Sequence, residues 1–298
     1  RPNWNGLLPS PANARKLADQ LAQMRGAAMK VGQLMSMDSG TMLPPEFAQI
    51  LARLRSEAQP MPPPQLKKVL TAYWGPQWLR QFASFDVRPI AAASIGQVHR
   101  AKTKDGRELA LKIQYPGIRK SIDSDVDNIA MLIKMSGLLP RDLDITSLLE
   151  QAKQQLHDEA QYQREGQYLE QFGKLLADKR DFKVPALYED LTTPDILAMS
   201  YVSGHPIEAL TSAPQATRDR VVGLLIQLLL LELFDFHLMQ TDPNFANYQY
   251  NPETQQVVLL DFGATRALCP ILVQQFRRLL NSGLENNKDA SLDLLREI

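Results

Sequence analysis

Residues 91–114 read AAASIGQVHRAKTKDGRELALKIQ, and this stretch decides the fold. After three alanines and Ser94 comes an alternating run, then Asp105-Gly106, then a second alternating run that carries Lys112. Asp-Gly between two runs of period two is a hairpin signal, because Gly accepts the positive φ that a tight reversal asks for. A loop, a strand, a turn and a strand bearing Lys follow one another as in a phosphate-covering loop that leads to a phosphate-pairing Lys. Such loops are normally glycine-rich, since their backbone N–H groups approach phosphate closely and some residues need positive φ. Here alanines stand in those places, which raises the question whether the loop still covers a nucleotide.

Working outward, residues 1–80 read as a mostly helical extension. Leu21, Met24, Ala28, Val31 and Met35 recur at spacings of three and four, so a helix is expected over 12–38. A second is expected from LPPEFAQILARL (43–54), with Pro44 and Pro45 at its entrance. QPMPPPQ (59–65) breaks the pattern and leads into a short helix at about 65–73. Downstream, 120–136 and 145–178 are expected to be helical, and 183–204 returns to strands. A long helix is expected over 216–240, then a strand over 256–263 ending in Asp-Phe-Gly, with the rest helical. A small strand-rich part before a helical part predicts a bilobal α+β protein. The expected segments are 1–80 (extension), 81–204 (first lobe with inserted helices) and 205–298 (second lobe).

Composition narrows the function. The 298 residues hold 33 basic and 33 acidic side chains, and zero net charge argues against a broad nucleic-acid surface. Cys269 is the one cysteine, which excludes an internal disulfide and a cysteine metal cluster. The apolar run 221–239 contains Gln227, Glu232 and Asp235, so it reads as a buried helix and not a membrane span. The chain begins with Arg and ends within an apparent helix, so it is expected to be a fragment, with any membrane anchor outside it. Among the four histidines, His99, His157, His205 and His237, no spacing suits a metal cluster.

Five pieces carry chemistry: the loop at 90–98, Lys112, Glu165 on a later helix, TDPNFAN with Asp242 and Asn247, and LLDFG with Asp261. Singly, each has an ordinary reading: a turn capped by Asp and Asn, a strand end, or a Lys whose stem covers apolar surface. Together and in order they match the protein-kinase arrangement. There the strand Lys holds the α- and β-phosphates and pairs with a helix Glu, and an Asp precedes a Mg²⁺-binding Asn by five residues. The Asp of Asp-Phe-Gly holds Mg²⁺. Asp261 and Asn247, with Asp242 acting through water, supply hard oxygen ligands, which suit Mg²⁺ and not zinc. DILAMSYVSG resembles the strand and hinge that carry adenine, at Ser200 to Val202.

The residues resemble one family in particular, the UbiB/AarF atypical kinases associated with coenzyme Q (ubiquinone) biosynthesis. The resemblance spans nearly the whole chain and is carried by KVGQ (30–33), AAASIGQVHRA, LKIQYPG (111–117), QTDPNFAN (240–247) and LLDFGATR (259–266). It implies a protein-kinase-like fold with the helical extension packed on the core, and an ATP- and Mg²⁺-dependent kinase or ATPase. ATP or ADP would be covered by Ile90, Ala91, Ala92, Ala93, Ser94, Ile95, Gly96, Gln97 and Val98. Lys112 would orient the phosphates with Glu165 as its partner, Asp242 would be the catalytic base, and Asn247 and Asp261 would bind Mg²⁺. Lys30, Gln33 and Glu159 would gate access against a peptide substrate; no Ala-Pro-Glu motif or long activation segment follows Asp261. The acceptor implied is a lipid-like molecule such as an isoprenoid-quinone precursor, or water. Further partners implied are a membrane surface or a biosynthetic complex, on the cytoplasmic side in a bacterium or in mitochondria in a eukaryote.

One position departs from the family pattern. Where Glu-x-Asp is expected, the chain has Glu159 and Gln161, and a Gln brings no charge to the Lys30 network. Asp158, on the face shared with Gln161 and Glu165, is the candidate substitute. Two rival readings remain open at this point: a nucleotide-binding switch or scaffold without turnover, and a small-molecule kinase of the choline or aminoglycoside kind.

Overall fold

The computed structural model describes residues 21, 24–38, 60–136, 145–242 and 244–297. The helix expected over 43–54 lies outside these residues, as do 12–20 of the first expected helix. In chain order the elements begin with α1 (Arg25–Asp38), α2 (Pro63–Trp74), β1 (Phe82–Phe85), β2 (Ala91–Ala92), β3 (Gly96–Thr103) and β4 (Glu108–Gln114). Then follow α3 (Ile118–Ser136), α4 (Thr146–Glu159), α5 (Tyr162–Leu175), β5 (Phe182–Lys183), β6 (Ile196–Ser200) and β7 (His205–Pro206). The remainder is α6 (Gln215–Leu231), a π-turn (Glu232–Phe236), β8 (Leu238–Gln240), β9 (Tyr248–Asn251), β10 (Gln256–Leu259), β11 (Thr265–Ala267), α7 (Pro270–Leu284) and α8 (Lys288–Glu297). They form two compact units, Arg1–Gln163 with Tyr188–Ser200, and Arg164–Leu187 with Tyr201–Ile298.

The first unit is built on an antiparallel sheet in the order β1-β3-β4-β6, with β2 also paired to β3. The expected hairpin is β3–β4: Gly106 N–H meets Thr103 C=O at 3.1 Å, and Gly106 takes φ 94°. Strand alternation then sorts the faces. Leu109, Leu111 and Ile113 are fully buried and join Leu66, Val69 and Leu70 of α2, with Trp78 and Phe82, in one core. Lys112 and Gln114 fall on the opposite face, and Lys112 stands across from Val98 and Leu197 in the ladder. Two prolines open α2, where a missing N–H leaves no helical bond unmade. Helices α1, α3 and α4 pack on one another.

In the second unit, β5-β10-β9-β7 form one small sheet and β11-β8 another. Phe262 is buried against Phe172 of α5, ring centroids 5.1 Å apart, and Phe172 meets Phe236 edge-on at 6.3 Å.

Three expectations need correction. The helix expected over 145–178 is two helices, broken at Ala160–Gln161. The break carries neither Gly nor Pro; Ala160 turns its N–H back to Leu156 and ends α4. The helix expected over 216–240 stops at Leu231, widens into the π-turn, and is closed by His237 in the left-handed region at φ 51°. Leu238–Gln240 then extend as a strand. Thirdly, strands Tyr248–Asn251 and Thr265–Ala267 appear where none was expected, and 184–195 is mostly turns. No described helix is long and apolar enough to cross a membrane.

Candidate functional site

The alanine-rich loop is a hairpin in its own right. Ala91 and Ala92 pair with Val98 and Gln97, Ile90 N–H donates to Val98 C=O at 2.8 Å, and Ala93 N–H to Gly96 C=O at 2.9 Å. Among the described residues the positive-φ positions all lie elsewhere, at residues 75, 106, 117, 237, 255 and 286. Alanine therefore suffices in this loop because its turn uses no left-handed backbone. Gly96 is required for a different reason. A Cβ there would lie 2.3 Å from Ile113 C=O and 2.9 Å from the Tyr162 hydroxyl. Lys112 is 7% exposed, with Nζ 5.3 Å from the centroid of the Tyr162 ring, a cation–π contact.

Helix α1 is seated on this loop. A Cβ on Gly26 would come within 2.6 Å of Ser94 C=O, so the helix backbone lies directly on the turn. Lys30 is 4% exposed and its Nζ is 2.7 Å from Glu159 Oε1, while Ser94 Oγ donates to Glu159 Oε2 at 2.5 Å. Glu159 thus ties the helix and the loop together. Gln161, which replaces the expected Asp, is exposed and donates to His157 C=O at 3.3 Å. Asp158 accepts from Gln154 Nε2 at 3.1 Å. Gln33 is half-buried on α1.

Beneath the same loop lies a buried polar row. Gln97 Oε1 accepts Met61 N–H at 2.7 Å, Gln97 Nε2 donates to His99 Nε2 at 2.8 Å, and His99 Nδ1 donates to Asp86 C=O at 2.8 Å. The carbonyl acceptor fixes the tautomer, with the proton on Nδ1. Burial pushes the His99 pKa down, opposed by its bond to Asp86. Gln97 and His99 therefore act inside the core, pinning the start of α2 to β3. Ser200 closes β6, and the chain crosses from the first unit to the second before Tyr201 and Val202.

The second unit carries Glu165, Asp242, Asn247 and Asp261. Asp242 is held at both ends of its peptide units: its N–H donates to Gln240 Oε1 at 2.6 Å, and its C=O accepts from Asn244 N–H at 2.7 Å and Asn247 Nδ2 at 3.1 Å. Asn247 C=O in turn accepts Leu260 N–H at 3.0 Å. That bond extends the β9–β10 ladder by one step and brings Asn247 beside Asp261, although 14 residues separate them in sequence (261 − 247). Asp261 Oδ1 accepts Gly263 N–H at 3.0 Å, an Asx turn that shapes the loop. Glu165 Oε1 accepts Phe262 N–H at 3.4 Å, and Arg164 Nη2 donates to Thr265 C=O at 3.1 Å. Helix α5 therefore grips the Asp-Phe-Gly segment on both sides. Thr241 N–H and Oγ1 both donate to Ala264 C=O, at 3.2 and 2.7 Å.

Carboxylates gather near Tyr248 in this unit. Burial raises the Tyr248 pKa, and the carboxylates of Glu232, Asp242 and Asp261 raise it further. Glu232 is 3% exposed and its pKa is pushed up to about 8 by burial, opposed by the Gln240 backbone N–H. The donor set fits Mg²⁺: two carboxylates and one amide oxygen are hard ligands, and Asn247, by giving its Nδ2 to Asp242, presents the oxygen end of its amide. Among the described residues no three His, Cys, Asp or Glu side chains could hold a metal together. Sequence reasoning missed the roles of Gly26, Gln240 and Glu232; Gln240 lies within the quoted QTDPNFAN, but nothing there marked its side chain, and no motif marked the other two.

Comparison with known proteins agrees with these features. The ABC1 atypical kinase-like domain matches residues 53–294. The mitochondrial atypical kinase COQ8 of Saccharomyces cerevisiae is 40% identical over 279 residues, 94% of this chain and 56% of that protein. The mitochondrial atypical kinase COQ8B of Rattus norvegicus is 39% identical over 287 residues, 96% of this chain and 54% of its own length. Among solved structures, the Rv3197–erythromycin complex from Mycobacterium tuberculosis superposes with a TM-score of 0.61 at 29% identity, over 95% of this chain and 73% of that one. The chain spans about half the length of the curated relatives it matches.

Proposed function

The chain belongs to the ABC1 atypical kinase-like family, and on that premise we propose that it is an ATP- and Mg²⁺-dependent phosphotransferase or ATPase of the UbiB type, acting in ubiquinone biosynthesis. The observation that carries the reading is the hold on Asp242, Asn247 and Asp261, by which the ladder bond from Leu260 to Asn247 draws two hard-oxygen ligands together. Mg²⁺ supplies charge neutralisation to phosphate oxygens when bound. Lys112 orients the α- and β-phosphates, and Glu165 is the carboxylate that the resemblance assigns to it. Asp242 acts as the base toward the acceptor hydroxyl or water. Of residues 90–98 the exposed turn around Ala91–Ser94 is the part that would cover the phosphates, Gln97 being held in the core, and Ser200–Val202 is the segment given to adenine.

The tie from the buried Lys30 through Glu159 to the exposed Ser94 supports a gating role for α1, with Gln33 on the same helix. A loop latched to a helix leaves little room for a peptide, so the acceptor is a lipid-like molecule, an isoprenoid-quinone precursor, or water. The names of the relatives favour a mitochondrial compartment, and a membrane surface is the natural source of such an acceptor.

Thermal unfolding with ATP or ADP, with and without Mg²⁺, tests the reading on this chain and on Asp261→Asn. The expected result is a nucleotide-dependent rise in Tm that needs Mg²⁺ in the parent chain and loses that dependence in the variant. No rise with either nucleotide at several millimolar would overturn it.

A further inference from the structure

Gln240 ends β8, and its neighbour across the two-stranded sheet is Thr265. Its side chain is 8% exposed and turns inward and forward, so that Oε1 accepts the N–H of Asp242 at 2.6 Å. Nε2 of the same amide has no hydrogen-bond partner among the described residues. A buried amide with an unmet donor is costly. The feature that this Gln contributes is therefore its oxygen, and the oxygen is spent on a single peptide N–H.

That N–H belongs to the residue to which the proposed function gives the reacting carboxylate. Asp242 C=O is already fixed by Asn244 and Asn247. Without Gln240 Oε1, the N–H of the peptide between Thr241 and Asp242 would lose this hydrogen bond, while the following peptide stays held through Asp242 C=O. Turning that peptide swings the Asp242 Cα–Cβ bond. A displacement of about 1 Å in a reacting group is enough to lose on the order of a hundredfold in rate.

Resting on the function proposed above, we propose that Gln240 is a positioning residue: it sets the orientation of Asp242 through its side-chain oxygen, without contacting nucleotide. It follows that substitution affects turnover and leaves binding in place. Gln240→Leu fills a similar volume with no acceptor. Gln240→Asn keeps a carbonyl oxygen that reaches the N–H two residues on, as in an Asx turn.

Two measurements on this chain test the assignment. The first is amide hydrogen exchange at Asp242, with Met239 and Arg266 of the β8–β11 ladder as reference. The second is ATP turnover beside the Kd of Mg²⁺·ATP. In Gln240→Leu, exchange at Asp242 is expected to quicken while the ladder amides hold, kcat to fall about ten- to a hundredfold, and Kd to stay within about twofold. Gln240→Asn is expected to restore most of the slow exchange and most of kcat. Equal kcat in Gln240→Leu and the parent chain overturns this role alone. So does a loss shared equally by Kd and kcat, or ladder amides that quicken with Asp242 in both variants. A parent chain that binds Mg²⁺·ATP and never turns it over overturns the enzymatic reading, and this role with it.

Discussion

Glu232 offers a quantitative test of the second unit. Its carboxyl is 3% exposed, Oε1 has no hydrogen-bond partner among the described residues, and its pKa is pushed from the ordinary 4.5 to about 8 by burial. A carboxyl whose folded pKa lies above its unfolded value holds its proton more tightly when folded. Its stabilisation is therefore whole below about pH 4.5, declines as pH rises, and is gone above about pH 8. Each pKa unit corresponds to about 1.4 kcal/mol, so with those two values the folded chain loses about 4 kcal/mol between pH 5 and pH 9 through this group alone. Glu232→Gln keeps the shape and an oxygen for the Gln240 N–H but cannot ionise. Urea unfolding of both chains across this range gives the difference in stability, from which every other titrating group cancels. The variant is expected to gain on the parent steadily from pH 5, by about 3.5 kcal/mol at pH 8 and about 4 kcal/mol at pH 9, and to hold a constant lead above. A difference that is flat with pH would refute the claim that Glu232 is buried and protonated.

His99 gives the opposite dependence. Its folded pKa is lowered, so the stability it contributes is present above the ordinary histidine value of about 6.5 and is lost as pH falls below it; His99→Leu is expected to be less stable at neutral pH and to lack that acid-side loss, read by the same unfolding assay. At the α1 seat, Lys30→Met leaves the half-buried Glu159 without its 2.7 Å partner and is expected to cost roughly 2 kcal/mol in unfolding free energy, with much of it recovered in Lys30→Met, Glu159→Met. Full additivity of the two changes in a double-mutant cycle would count against the pair.

The legible parts of this chain are those in which local chemistry and tertiary structure agree. The β3–β4 hairpin follows from Asp105-Gly106 between alternating runs, and its faces follow from the alternation, Leu109, Leu111 and Ile113 one way and Lys112 the other. Asp242, Asn247 and Asp261 are found by spacing because a motif needs no knowledge of packing. What was hidden is set by packing. The apolar run through 221–239 continues past Leu231 without a stop signal, and only the left-handed His237 ends it. Ala160 ends α4 although alanine is the best helix former. Gly26, outside the recognisable KVGQ motif, carries the close contact of α1, because the closest approach depends on where the helix meets Ser94.

The hairpin of β9 and β10 has a meaning for how such chains vary. Its ladder runs from Tyr248 opposite Leu259 to Asn251 opposite Gln256, and the reversal lies at the far end from Asn247 and Asp261. There Asn251 Oδ1 gathers the N–H groups of Glu253 and Thr254, and Gln255 adopts φ 57°. Residues added to or removed from that reversal leave the pairing between Tyr248 and Leu259 untouched. The interval of nineteen between Asp242 and Asp261 thus depends on the length of that reversal, whereas the meeting of Asn247 with Asp261 depends on the register alone.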